Sequence, residues 1–152
     1  MRAVVQRVSR AKVTVAGETT GEIGRGVLIL LGVAPADDEA VAKQMVDKIS
    51  TLRIFADEAD KMNLSLLDME GEALVVSQFT LFADCTRGRR PYFGDAAEPA
   101  HATKLCDTFK TILGEKGIQV GSGRFGAMMD VELLNDGPVT IILDSDELGR
   151  KR

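Results

Sequence analysis

The chain has 152 residues, a formal net charge of −4, 45% apolar and 28% charged side chains and a mean hydropathy of +0.02. That composition excludes a disordered, collagen-like or low-complexity protein, and the length suits one domain able to bury a core without disulfides or a metal. No apolar run approaches the ~20 residues of a membrane span, the first ten residues carry charges where a signal peptide needs apolar ones, and Cys85 and Cys106 lie in no CxxC or histidine pattern, so a cytoplasmic protein without zinc or disulfide is expected.

In chain order, Val4, Val5 and Val8, then Val13 and Val15, read as strand, and Gly17-Glu18 and Gly24-Arg25-Gly26 read as turns in a meander of three to four strands. VLILLGV at 27–33 is apolar on both faces and is expected to be a central buried strand. Asp37 or Asp38 then caps a first helix over 38–52, with Val41, Met45, Ile49 and Leu52 at helical spacing. RIFAD at 53–57 reads as a short strand, 57–72 as a polar surface loop and ALVVSQFTLF at 73–82 as another buried strand. An irregular basic loop follows. Pro99 suits the first position of a second helix whose apolar face is Ala102, Leu105, Cys106, Phe109, Ile112 and Leu113, ended by Gly117. The remainder reads as strand, glycine turn, strand, tight Asp136-Gly137-Pro138 turn and final strand. Clustered strands without βαβα alternation predict an α+β fold: a largely antiparallel or mixed, barrel-like sheet with two main helices packed outside.

The charge is unevenly spread. Residues 1–30 carry five basic and two acidic side chains and residues 77–92 three and one, two basic islands in an acidic chain. Bulk electrostatic binding of nucleic acid, DNA included, is not expected, although such an island suits a local phosphate contact.

Gly121-Ser122-Gly123-Arg124-Phe125-Gly126 matches GxGxxG, but AMMDVELL after it reads as strand where a dinucleotide fingerprint needs a helix. His101, the sole histidine, starts the second helix beside no acid or nucleophile, which argues against Ser-His-Asp and Cys-His schemes. Cys106 belongs to an apolar helix face, and Cys85 sits in the basic loop. No ligand cluster calls for a metal or cofactor. Two segments break local rules. Ser77-Gln78-Phe79-Thr80-Leu81 puts polar groups where a buried strand should continue, and a strand ending there offers hydroxyls, an amide and free backbone N–H groups suited to an oxyanion hole; a strand merely leaving the core is the plain alternative. Asn135-Asp136-Gly137-Pro138-Val139-Thr140 contains a Gly-Pro bond in a tight turn, where cis geometry costs only ~0.5–1 kcal/mol and would align carbonyls able to bind an ammonium, with an ordinary trans turn as the statistical expectation.

SQFTL at 77–81, RFGAMM at 124–129 and NDGPVT at 135–140, in this order, closely resemble the D-aminoacyl-tRNA deacylases, and MRAVVQRVSRAKVTV, RGVLILLGV and TRGRRPYF are also similar to that family. The resemblance covers residues 1–145 as one domain and leaves 146–152 as a charged carboxy-terminal tail. It implies a homodimeric hydrolase that cleaves the ester between a D-amino acid and the 3′ end of tRNA, with a cis Gly-Pro inserted from one subunit into the active site of the other. The Gly137 and Pro138 carbonyls would then capture the α-ammonium and leave no room for an L side chain, while glycine mischarged to tRNA-Ala would still fit. Arg7 matches a family arginine that braces these carbonyls. Ser77, Gln78, Phe79 and Thr80 would form the reaction centre, with the Phe79 and Thr80 N–H groups as oxyanion donors. No histidine or lysine neighbours Thr80 in sequence to deprotonate it, which favours attack by water assisted by the substrate 2′-OH. Phe125 and Met129 would pack around the terminal adenine, and Arg87, Arg89 and Arg90 would guide the acceptor stem. The rivals are a related deacylase with a trans Gly-Pro that removes L-alanine, from which Phe79 within SQFT separates this chain, an RNA- or nucleotide-binding module using GSGRFG, and a hydrolase of small D-amino-acid esters.

Overall fold

The computed structural model describes residues 1–151, and its first strand shows why the fold can curl. β1 (Arg2–Val15) is one continuous 14-residue strand, so the amino-terminal meander has three members: β1, β2 (Glu18–Ile23) and β3 (Gly26–Gly32). Ala16 and Gly17, with φ of 50° and 79°, form the two-residue hairpin turn between β1 and β2. β1 is long enough for β3 to pair with its first half and β2 with its second along the same edge.

α1 (Glu39–Thr51) carries the chain from β3 towards β6 (Glu72–Ser77), which lies parallel to β3, and α2 (Pro99–Glu115) leads from β6 to β7 (Val120–Ser122), parallel to β6. Antiparallel pairing on one side and parallel pairing on the other give the mixed sheet expected from the sequence. β7 then approaches β2, where a Cβ at Gly21 would stand 2.6 Å from the Ser122 carbonyl oxygen, so this glycine lets the two backbones close the barrel. Val8, Ala11, Val13, Ile23, Leu28, Leu74 and Val76 fill the interior. The opposite face of the sheet, with Ala3, Val5, Ile29, Leu31 and Val75, packs on Met45, Val46 and Ile49 of α1 and Leu105, Phe109 and Leu113 of α2. Thus the fold is α+β with two helices outside a nearly closed sheet.

Asp38 caps α1, its Oδ1 accepting the Val41 N–H at 3.0 Å. Asp38→Ala is expected to cost about 1 kcal/mol, read as a lower urea midpoint with an unchanged slope.

Three expectations are corrected. The stretch expected as a polar surface loop contains β5 (Met62–Leu64), which pairs with β4 (Phe55–Ala56), and it buries Ser65 and Leu66. Ser65 and Asp68 cap each other reciprocally, side chain to backbone N–H, an arrangement that hydrophobic periodicity does not reveal. The strand expected over 73–82 ends at Ser77, and Phe79–Phe82 is a 3-10 turn. Finally, the carboxy-terminal hairpin does not exist: β8 (Asp130–Asp144) is a single 15-residue strand paired along β1, and the Asp-Gly-Pro segment is an outward loop within it. A second 3-10 turn follows at Ser145–Glu147, and Leu148 packs on the helix-side core; Arg152, the end of the expected tail, lies outside the described residues.

Candidate functional site

β6 delivers the SQFT segment to the end of the sheet. Strand alternation turns Ser77 to the same side as Ala73 and Val75, towards α2. There, burial pushes the Cys106 thiol above its ordinary value, and a hydrogen bond with the Ser77 hydroxyl pulls the other way. Ser77 thus ends β6 half-buried on the helix side of the sheet, beside Cys106. The Gln78 N–H makes the last ladder bond, to the Leu31 carbonyl at 2.8 Å, and the chain then bends into the 3-10 turn. At such a start the first N–H groups lack partners, and among the described residues neither the Phe79 nor the Thr80 N–H has an acceptor. Two adjacent free donors on a fixed turn are what an oxyanion hole requires. The Gln78 side-chain amide donates to the Thr80 hydroxyl, and no histidine, lysine or carboxylate bonds that hydroxyl.

Arg2 fixes the turn from below. Its Nη1 donates to the Leu81 carbonyl at 3.1 Å, its Nε bonds Asp144 at 3.0 Å, and its guanidinium lies 4.6 Å from the centre of the Phe82 ring. Nothing in the local sequence marks Arg2 for this task, since its partners are about eighty and 142 positions away. Phe79 is 54% exposed and meets Phe93 edge to face at 5.1 Å.

The Gly-Pro segment arises from register. Gln6 pairs with Thr140 and Val8 with Asn135, so Arg7 alone on β1 faces residues 136–139 of β8, which loop outward. The Gly137–Pro138 peptide is cis, and Gly137 has φ of +124°. Asn135 closes the loop, its Oδ1 accepting the Val139 N–H and its Nδ2 donating to Thr140 Oγ1, both at 3.2 Å. Arg7 supports it from inside, donating from Nε to the Asp136 carbonyl at 3.1 Å and from Nη1 to the Ile54 carbonyl at 2.7 Å, with the Asp136 carboxylate 3.4 Å away. Its bond falls on the carbonyl preceding Gly137, one residue earlier than the bracing expected from the family. Gly137 and Pro138 themselves are exposed.

The two motifs are held from different positions of β1. Arg2 stands at the SQFT turn and Arg7 at the Gly-Pro loop, about 16 Å apart along β1 at the usual strand rise. RFGAMM begins nearer the turn, because the Gly123 N–H bonds the Val75 carbonyl two residues before Ser77. Phe125 is 37% exposed, whereas Met129 packs against the barrel interior. Gly126, with φ of +75°, lies in a turn that leads into β8, so the GxGxxG match opens no helix. His101 Nε2 is 2.8 Å from the Asp37 carbonyl and ties α2 to the loop before α1. Among the described residues no cluster of metal-ligating side chains exists and no helix is long and apolar enough to cross a membrane. A groove of about 380 Å³ between the helices, lined by Glu39, Lys104, Asp107 and Glu115, contains none of the expected site residues.

Comparison with known proteins identifies the family and the fold. The family model described as D-Tyr-tRNA(Tyr) deacylase matches residues 4–144. The D-aminoacyl-tRNA deacylase of Roseiflexus castenholzii (strain DSM 13941 / HLO8) is 62% identical over 145 residues, 95% of this chain and 92% of that one. That of Clostridioides difficile (strain 630) is 58% identical over 147 residues, 97% and 99% of the two chains. Among solved structures, the c-Myc DNA Unwinding Element Binding Protein superposes with a TM-score of 0.88 at 42% identity, over 95% of this chain and 98% of that one. A probable eukaryotic D-amino acid tRNA deacylase shares the fold with a TM-score of 0.84 at 17% identity, over 93% and 97%. The chain belongs to the D-aminoacyl-tRNA deacylase family.

Proposed function

We propose that this protein is a chiral proofreading hydrolase of translation quality control, which cleaves the ester of D-aminoacyl-tRNA to free D-amino acid and tRNA and rejects the L ester. The observation that carries this reading is the pair of unpartnered N–H groups at Phe79 and Thr80 on a turn held by Arg2. Water attacks the ester carbonyl, the carbonyl oxygen becomes an oxyanion held by these donors, and the ribose oxygen departs with a proton. Each donor contributes roughly 3 kcal/mol in the transition state. The substrate 2′-OH assists the water, since Thr80 has no base beside it. Thr80→Ala, which keeps the backbone donor, is accordingly expected to retain turnover within about threefold, a change smaller than loss of a transition-state donor; single-turnover rates check this, and an inactive, folded variant would make Thr80 the nucleophile.

Stereochemistry is assigned to the Gly137 and Pro138 carbonyls, which accept the α-ammonium and crowd out an L side chain. Glycine has no side chain to exclude, so glycyl-tRNA mischarged to tRNA-Ala is a side substrate. Because one chain keeps this loop away from the Phe79 turn, the active species is a homodimer in which each loop enters the partner's site. An uncovered apolar face supports that: Ile142 is 77% exposed, and Val4 and Leu30, its neighbours across the sheet, are half-buried on the same side. Phe125 and Met129 flank the terminal adenine, and the reaction needs neither metal nor cofactor and takes place in the cytoplasm. The test is release of amino acid from D-Tyr-tRNA and L-Tyr-tRNA in single turnover with chelator present. Rapid loss of the D ester alone is expected; hydrolysis of both, or of neither, would overturn the reading.

A further inference from the structure

The loop after the 3-10 turn is built more firmly than an irregular segment needs to be. Asp84 and Tyr92 exchange two backbone hydrogen bonds, at 2.7 and 2.9 Å, which closes the chain between them into a ring. The Asp84 carboxylate is held below its ordinary value by the Thr86 hydroxyl and accepts the Thr86 N–H at 2.9 Å, so the one acidic group of the loop is engaged internally. Arg87, Arg89 and Arg90 are all exposed on it. At its end, Tyr92 is 64% exposed, and its ring lies directly over Gly94, where any Cβ would collide with it. The hydroxyl end of the ring is thus seated against the backbone while most of the side chain is open to solvent. Phe93, next in the chain and 36% exposed, meets Phe79 edge to face. A preset aromatic surface beside three arginines, in a chain of net charge −4, complements a ligand with both π faces and phosphates.

Building on the deacylase reading, we propose that Tyr92 and Phe93 form a stacking platform for the unpaired nucleotides that precede the terminal adenosine of the tRNA, with Arg87, Arg89 and Arg90 holding their phosphates. The platform lies one aromatic contact from the proposed oxyanion donors, so a strand whose last nucleotide occupies the reaction centre passes over it. Its contribution is to substrate capture, not to the chemical step.

Tyr92 is the only tyrosine and the chain has no tryptophan, so its emission reports this ring alone. Titration with a short, non-aminoacylated single-stranded RNA ending in CCA is expected to quench that emission saturably, and replacing the three arginines with glutamine should weaken binding and flatten its salt dependence. With D-Tyr-tRNA, Tyr92→Ala should raise KM about five- to tenfold at unchanged kcat, and Tyr92→Phe should restore the wild-type value. With D-tyrosyl-adenosine, which lacks the preceding nucleotides, Tyr92→Ala should change nothing. Unquenched emission, an unchanged KM for tRNA, or an equal rise on both substrates would overturn the platform. Quenching by an acidic peptide but not by the RNA would also overturn it, in favour of a protein partner. The fluorescence titration needs no turnover, so it decides the platform even if the wild-type enzyme fails on D-Tyr-tRNA, a result that would reject the deacylase reading separately.

Discussion

Gly137→Ala is expected to lower kcat/KM on D-aminoacyl-tRNA by about 100-fold or more while the protein still folds. At φ of +124° an L residue is strained, by roughly 1–3 kcal/mol. The new Cβ also stands 2.7 Å from Arg7 Nη2 and 3.0 Å from Val139 Cγ2, so either the arginine under the loop or the loop itself must shift. Arg7 is only 12% exposed and its other bond ties it to Ile54, which leaves the loop as the part that moves. The Gly137 and Pro138 carbonyls then leave the positions proposed for capture of the ammonium, and a displacement of about 1 Å is enough for a loss of this size. Denaturant unfolding separates the two effects: a fall in stability no larger than the backbone strain, with activity nearly gone, fits a misplaced clamp. Full activity in the folded variant would move recognition of the α-ammonium to other groups.

The parts of the fold that the sequence makes legible are those whose causes are local. Pro99 at the start of α2, the spacing of Ala102, Leu105, Cys106, Phe109 and Leu113, and the apolar run of β3 each specify an element within a few turns or residues. The sheet's curl is legible only as a class, because closure depends on the approach of Gly21 to Ser122, about a hundred positions on. The site divides in the same way. SQFT and Asp-Gly-Pro stand out as polar or turn-forming groups inside apolar strands, which is a local anomaly. Their settings do not stand out. The turn after Ser77 is held by Arg2 at the Leu81 carbonyl, and the Asp-Gly-Pro loop within β8 is held by Arg7 at Asp136, 129 positions away. A turn signal between two apolar runs reads as a hairpin unless the register of β1 against β8 is known. Tyr92 and Phe93 were hidden for another reason: the loop's basic character draws attention to its arginines, while the ring's support comes from Gly94, which has no side chain to notice.

Phe79→Pro, the second change with a large expected effect, removes a proposed oxyanion donor without disturbing the turn's backbone. Phe79 is the first residue of the 3-10 turn, a position where proline fits, and Gln78 before it, at φ −143° and ψ 84°, lies outside the α region that a following proline disfavours. Loss of the donor is expected to reduce kcat by about 100- to 1,000-fold, and loss of the ring adds to this. Each of Phe79→Pro and Gly137→Ala is thus nearly inactive as a homodimer. Their heterodimer, co-expressed with two different tags and purified through both, discriminates between arrangements of the site. If each loop serves the partner's turn, the heterodimer combines both defects in one site and leaves the other intact, so about half of the wild-type rate returns. If both motifs act within one chain, each site keeps one defect and no activity returns. The span of about 16 Å along β1 between Arg2, at the Phe79 turn, and Arg7, at the Gly-Pro loop, favours the first outcome.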